Sequence, residues 1–348
     1  MRLYRRWIAR RVVGIAAVLA LLAACGQAAQ PVQPVVPGAP LAIPLSGPIA
    51  QAPGKLLFDR TDSWWTFEPS TQKKAEVYAF PEQSFPSTPA LSPDGTTVAF
   101  SVFSFGKGPE DPAYGTDLYL MRADGSDAQV FLAHEAAAET LTDPAWSADG
   151  SMIYFTRRSP QGDYRIERIG LDKGERKVIV DAAQTPTLSA DGQYLAYVSF
   201  ADASRNTGLV IATPEGGNPQ FVLKDKGFLA VGTPRFAPTG TQMVFVAVPE
   251  NAPSPAAQQS SRAGLFDWAL PRTARAHGVP WDLWLINADG SGLRQLTEIQ
   301  EDYPVPTWSP DAAWIGFKGE MGLYVMDMAE GKVRRVSDDL SASIAWLP

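Results

Sequence analysis

The sequence predicts an all-β fold: a six-bladed β-propeller of four-stranded antiparallel blades, closed by the C-terminal strand pairing with the N-terminal strands. Three observations lead there. A twelve-residue phrase recurs five times along the 348 residues. A second, weaker hairpin follows each copy. The two ends of the chain carry complementary fragments of one further blade. Repetition on this scale marks arrays of one supersecondary unit, none of which can bury its apolar surface alone.

The phrase reads Pro, any residue, a large apolar residue, Ser, two loosely fixed positions, Gly, then a strand ending in Phe or Tyr. Copies begin at Pro89, Pro144 and Pro186 and carry Asp94-Gly95, Asp149-Gly150 and Asp191-Gly192. Drifted copies begin at Pro234 and Pro306, with Thr239-Gly240 and Asp311-Ala312 in the turn. Asp-Gly between alternating flanks signals a tight two-residue hairpin turn, which needs positive φ. Recurrence at one repeat position argues that these acids shape turns rather than catalyse. The second hairpins turn near 123–126, 173–174, 215–217, 287–291 and 330–331.

Blade count follows from the ends. The large apolar position falls at Leu91, Trp146, Leu188, Phe236 and Trp308, and again at Trp346, where the chain stops after one strand. The three strands that this last one needs are at the other end, around Leu56-Leu57-Phe58, Trp64-Trp65 and Val77-Tyr78. Closure of this kind leaves no open ring edge. Trp146, Trp308 and Trp346 therefore mark inner strands and are expected to pack between blades.

These phrases resemble the TolB-type, WD-like propeller repeats, whose pattern is Pro-x-(Trp/Phe)-Ser-Pro-Asp-Gly before an apolar strand. The resemblance covers about residues 55–348. It implies the propeller but not the rest of TolB, because only a short Pro-rich stretch stands where TolB carries an α/β domain. No Gly-x-Ser-x-Gly elbow of the propeller peptidases occurs in the chain.

Residues 1–24 read as a secretory signal. Arg2, Arg5, Arg6, Arg10 and Arg11 precede an apolar run at 12–24 that is short for a bilayer span. The run ends in Leu22-Ala23-Ala24-Cys25-Gly26, which resembles a bacterial lipobox, and Cys25 is the sole cysteine. The resemblance implies a lipidated Cys25 and an extracytoplasmic protein held at the cell membrane by its acyl chains. Residues 25–53 form a tether rich in proline, uncharged from 28 on, and 54–348 form the propeller with an insertion at 249–281.

Loss of 1–24 removes five arginines and no acid, leaving 25 basic against 37 acidic residues, a net charge of −12. An acidic body excludes nucleic acid and favours cationic or glycan partners. Both long insertions, 103–116 and 249–281, fall in second connections of their blades, so they share a face with the links 134–143 and 298–305. That face is the expected binding surface. On it Phe266, Trp268, Arg272 and Arg275 form the candidate partner-binding group, set in a basic, aromatic segment of an otherwise acidic protein.

No catalytic set, cofactor or metal site is expected. His134 with Glu135, Glu139 or Asp143 lacks tight ligand spacing, and 287–292 lacks the acid that a calcium loop needs. The expectation is a monomeric, lipid-anchored protein-binding or scaffolding module for an envelope protein or peptide. The alternative is a carbohydrate-binding protein or a carbohydrate lyase or hydrolase of the envelope.

Overall fold

The computed structural model describes residues 43–200, 208–252 and 281–348. The predicted leader 1–24, Cys25, most of the predicted tether, and Phe266, Trp268, Arg272 and Arg275 lie outside the described residues. Among the described residues there is no helix.

The described residues form twenty-four strands, in sets of four. The first set is β1 (Lys55–Arg60), β2 (Ser63–Glu68) and β3 (Lys73–Ala79), completed by the last strand, β24 (Ile344–Leu347). Next come β4 (Ser84–Leu91), β5 (Thr97–Ser104), β6 (Gly115–Arg122) and β7 (Gln129–Leu132). They are followed by β8 (Thr140–Trp146), β9 (Met152–Arg158), β10 (Tyr164–Gly170) and β11 (Lys177–Asp181). The fourth set is β12 (Ala183–Leu188), β13 (Leu195–Ser199), β14 (Gly208–Ala212) and β15 (Gln220–Phe221). The fifth is β16 (Phe228–Phe236), β17 (Gln242–Pro249), β18 (Asp282–Asn287) and β19 (Arg294–Gln295). The last is β20 (Val305–Trp308), β21 (Trp314–Gly319), β22 (Gly322–Asp327) and β23 (Lys332–Ser337).

Hydrogen bonding gives four separate four-stranded sheets and one eight-stranded sheet. In the latter, β4–β7 and β8–β11 are each antiparallel and meet through a single parallel pair, Thr116 with Thr140. The first strands β4, β8, β12, β16, β20 and β24 touch in a closed cycle around an axis. Closure is antiparallel pairing of β1 with β24, Leu56 opposite Trp346 and Phe58 opposite Ile344.

Burial explains the strand sequences. The second strands sit between neighbouring sheets and are apolar on both faces, as in the Met243–Val248 run of β17, buried throughout. Outer strands face water, and β3 reads Lys-Lys-Ala-Glu with every one of these exposed. Apolar clusters fill the seams: Ala145, Tyr154 and Ile166 meet Leu195, Tyr197 and Val210 across one. Leu56, Phe58 and Trp346 meet Trp314, Leu323 and Val325 across the closing seam.

The Asp-Gly turns differ from the two-residue form that the sequence suggests. Only the glycine has positive φ: Gly95 at 73°, Gly150 at 70° and Gly192 at 70°. The loop is longer, closed by Gly150 N–H to Ser147 O at 2.9 Å and Ser147 N–H to Met152 O at 2.9 Å. The acid acts through its side chain instead. Asp149 Oδ1 accepts from Ser147 Oγ at 2.6 Å and Ser151 N–H at 3.0 Å, while Ser147 Oγ accepts Met152 N–H at 2.9 Å. The same Ser–Asp box recurs at Ser92 and Asp94, Ser189 and Asp191, and Ser309 and Asp311. These donors, the Ser147 hydroxyl foremost, hold the Asp149 carboxyl down at about 2. Two to four charge-assisted bonds to the carboxylate in each turn account for the recurrence of Ser and Asp.

The described part of the predicted spacer packs on the ring. Leu45 bridges Arg335 of β23 in parallel, Ser46 N–H donates to Arg335 O at 2.8 Å, and Ile49 and Ala52 are buried.

Candidate functional site

An axial cavity of about 560 Å³ opens where the first strands end, on the face of the Ser–Asp turns. Its wall is the repeated phrase itself. The large apolar positions Leu91, Trp146, Leu188, Phe236, Trp308 and Trp346 all line it. The tryptophans also pack across seams, as expected from the sequence. Trp146 Nε1–H donates to Ala90 O and Trp308 Nε1–H to Arg235 O, each 3.0 Å away on the preceding first strand.

The residue before each marker sets the room available. Five of these positions hold Ala90, Ala145, Thr187, Thr307 and Ala345, and the sixth holds Arg235; all line the cavity. Thr187 and Thr307 are spent on structure, their hydroxyls accepting Phe236 N–H at 3.2 Å and Trp346 N–H at 3.1 Å. Arg235 Nη1–H donates to Pro234 O at 2.9 Å. No carboxylate among the described residues reaches ion-pair distance of its guanidinium.

Deeper along the axis the first strands bulge before their prolines. Thr88, Asp143, Thr185 and Thr233 adopt φ of 47°, 53°, 53° and 38°, and each coincides with a register shift. A β-branched residue in this region is an outlier that costs about 1–3 kcal/mol. Asp143 replaces threonine in this ring, and Tyr303, just before β20, lies against Gly232 so closely that a Cβ there would stand 2.5 Å from Tyr303 Oη.

Asp143, Arg235 and Tyr303 sense one another. Burial raises the Asp143 carboxyl against the opposing pull of Arg235 and the Thr142 hydroxyl. Burial pushes the Tyr303 phenol up to about 12, with the Asp143 charge adding to it. Burial also lowers Arg235, opposed by Asp143, yet a guanidinium starts so high that it stays charged at neutral pH. Arg235 thus places a cation in the cavity wall, with Asp143 in electrostatic range and Asp94 also in the lining.

The sequence placed the binding surface on the opposite face, that of the insertions. There the structure gathers Phe85, Phe103, Phe105 and Tyr114, with Phe103 and Phe105 ring centroids 4.9 Å apart and Phe105 45% exposed. His134 is engaged within the chain. Its Nδ1 lies 2.5 Å from Asp117 Oδ1 and its Nε2 2.9 Å from Pro112 O, so it pins the 105–114 loop to β6. Glu139 is fully buried against Arg157. Burial alone would raise its carboxyl, but the Glu135 N–H and Arg157 outweigh this and hold it low. His277 lies outside the described residues, and no metal-binding cluster occurs among the described residues. The 287–292 segment is a hairpin turn, with Asp289 Oδ1 accepting Ser291 N–H at 2.9 Å.

Sequence reasoning passed over Arg235 and gave Asp143 only a place in a weak metal set. The signal was present, since Pro234-Arg235-Phe236 departs from the small residue that the other copies place after proline.

No family model matches the chain. It is 27% identical over 282 residues to the Tol-Pal system protein TolB of Anaeromyxobacter dehalogenans (strain 2CP-C), covering 66% of this chain and 64% of that protein. The match therefore spans just under two thirds of that relative's length. Among solved structures, TolB from Acinetobacter baumannii superposes with a TM-score of 0.62 at 14% identity, over 85% of this chain and 67% of that one. A chain of the nidogen/laminin complex gives 0.57 at 14% identity, over 84% of this chain and 98% of that one. At these identities the structural likeness is one of fold.

Proposed function

We propose that this chain, whose repeats and fold resemble the TolB-type propellers, is an extracytoplasmic binding module, anchored to the membrane through a lipidated Cys25, that captures an envelope protein or peptide. The axial cavity carries this reading. Its volume lies within the roughly 300–1,000 Å³ range of ligand sites, and its lining is mostly apolar, with Arg235 and Asp94 as its charged side chains. The likeness to a Tol-Pal system protein supports an envelope setting. The ring is six-bladed on this reading: the eight-stranded sheet counts as two blades, supported by its single bridging pair and by the closed cycle of first strands.

The test is capture from detergent-solubilised envelope with the full chain, with Ala90→Phe filling the cavity, and with 253–280 deleted. A partner lost with the cavity substitution places binding on the axis; one lost only with the deletion returns it to Phe266, Trp268, Arg272 and Arg275. A partner retained by both variants, or none captured, defeats the reading. Metabolic labelling with palmitate is expected in the wild type and absent in Cys25→Ser; an unlabelled wild type defeats the anchor.

A further inference from the structure

Two first-strand positions break the pattern that the repeats otherwise keep around the axis. After the proline the ring reads Ala90, Ala145, Thr187, Arg235, Thr307 and Ala345. Before it, three of the four strained bulges carry threonine and the other carries Asp143. Turn geometry explains neither exception. The Ser–Asp box is missing from the copy that bears Arg235, where Ala237 and Thr239 stand in its place. Packing does not explain Arg235 either, because five other strands fill the equivalent position with a methyl or a threonine.

The small residues leave the volume, and Arg235 is the cationic side chain that lines it, Asp94 being the acidic one. Its guanidinium has one backbone acceptor, and no carboxylate of the described residues pairs with it. A guanidinium presents five donors in a planar fork matched to a carboxylate, so one bond to Pro234 O leaves most of that capacity unused. Taking a charge into such surroundings without a partner is costly, and a partner brought by a ligand recovers that cost.

We propose that the axial cavity is a carboxylate-recognition subsite, in which Arg235 receives an acidic side chain of an extended peptide segment while Trp146, Phe236 and Trp308 hold its flanking residues. This rests on the binding-module reading and narrows it. The cavity is far larger than a lone carboxylate needs, and its rim of Pro93, Pro238, Pro310 and Pro348 suits an extended chain rather than a free small anion. The outer surface of this acidic protein repels acidic partners, so selection for a carboxylate is confined to the axis. Asp143 lies within electrostatic range of Arg235 but is not ion-paired to it, so the fork stays open to a carboxylate from outside.

The probe is a pool of random pentapeptides with a central Glu, acetylated and amidated at the ends, against the same pool with Gln. The unaltered full chain retains the Glu pool at least tenfold better, a comparison that depends on no variant folding. Arg235→Met, which keeps the stem and removes the fork, abolishes the preference, and Arg235→Lys keeps part of it; thermal melting verifies that both variants fold. Equal retention of the two pools by the wild type overturns the carboxylate subsite while leaving a binding module standing. So does a preference that survives in folded Arg235→Met. Retention of neither pool overturns both.

Discussion

Replacing Asp59 by alanine should unfasten the ring. Asp59, on β1, is 8% exposed and gathers the chain just before β24. Its Oδ1 accepts Ser341 Oγ at 2.8 Å, Ala342 N–H at 3.1 Å, Ser343 N–H at 2.7 Å and Ser343 Oγ at 2.9 Å. In Asp59→Ala the donors of Ser341 and Ala342 turn to water, so they cost little. Ser343 is 3% exposed and cannot do so. The Ser343 N–H keeps only its longer bond to Ser341 Oγ at 3.2 Å, and the buried Ser343 hydroxyl loses its acceptor; a buried polar group deprived of its partner costs about 1–3 kcal/mol, so the loss is about 2 kcal/mol. Asp59→Asn keeps an acceptor oxygen and should cost about 1 kcal/mol. Urea unfolding measures both, and hydrogen exchange at Leu56 and Phe58, which lie opposite Trp346 and Ile344, tests where the loosening starts. An Asp59→Ala variant within about 0.5 kcal/mol of wild type, or exchange accelerated evenly over all sheets, would refute the clasp.

Asp282 gives a pH test. Burial pushes its carboxyl up to about 6 against the Gln300 N–H, Thr297 hydroxyl and Ile299 N–H that it accepts. Because the folded value is raised, its contribution to stability is fully present below about pH 4 and is lost as pH rises through about 6, by up to roughly 3 kcal/mol. Asp282→Asn keeps the acceptor and should remove that slope, so urea midpoints of the two proteins should diverge between pH 4 and 6; parallel curves would contradict the assignment. At Gly232, alanine would drive a methyl into Tyr303 Oη. Gly232→Ala is expected to cost about 1–3 kcal/mol by overpacking, with Tyr303→Phe restoring much of it in the double variant; thermal melting without restoration would locate the strain elsewhere.

Most strands were legible because their causes are local. Each Ser–Asp box is written within six consecutive residues, as Ser147, Asp149, Ser151 and Met152 show. The apolar run of β17 and the charged run of β3 announce their depth in the sheet through composition alone. The two-residue turn was misjudged for a related reason. Asp-Gly is compatible with either loop length, and the choice falls to the preceding serine, which closes the longer one.

The candidate site was less legible. The insertion face stood out because Phe266, Trp268, Arg272 and Arg275 are unusual within their own neighbourhood, whereas Arg235 is unusual only beside residues of other blades. Ala90, Ala145, Thr187, Thr307 and Ala345 are far apart in the chain and become one ring when the sheets close.

The sequence by itself determined the repeat, the turns, the pairing of the two chain ends and the seam role of Trp146 and Trp308, since each follows from short-range hydrogen bonding or from apolar periodicity. Tertiary structure alone decided that an axial space remains open, that it opens on the turn face, and that Arg235 lines it with Asp143 in electrostatic range. Those outcomes depend on which side chains meet around an axis, a relation that arises from ring closure and has no counterpart along the chain.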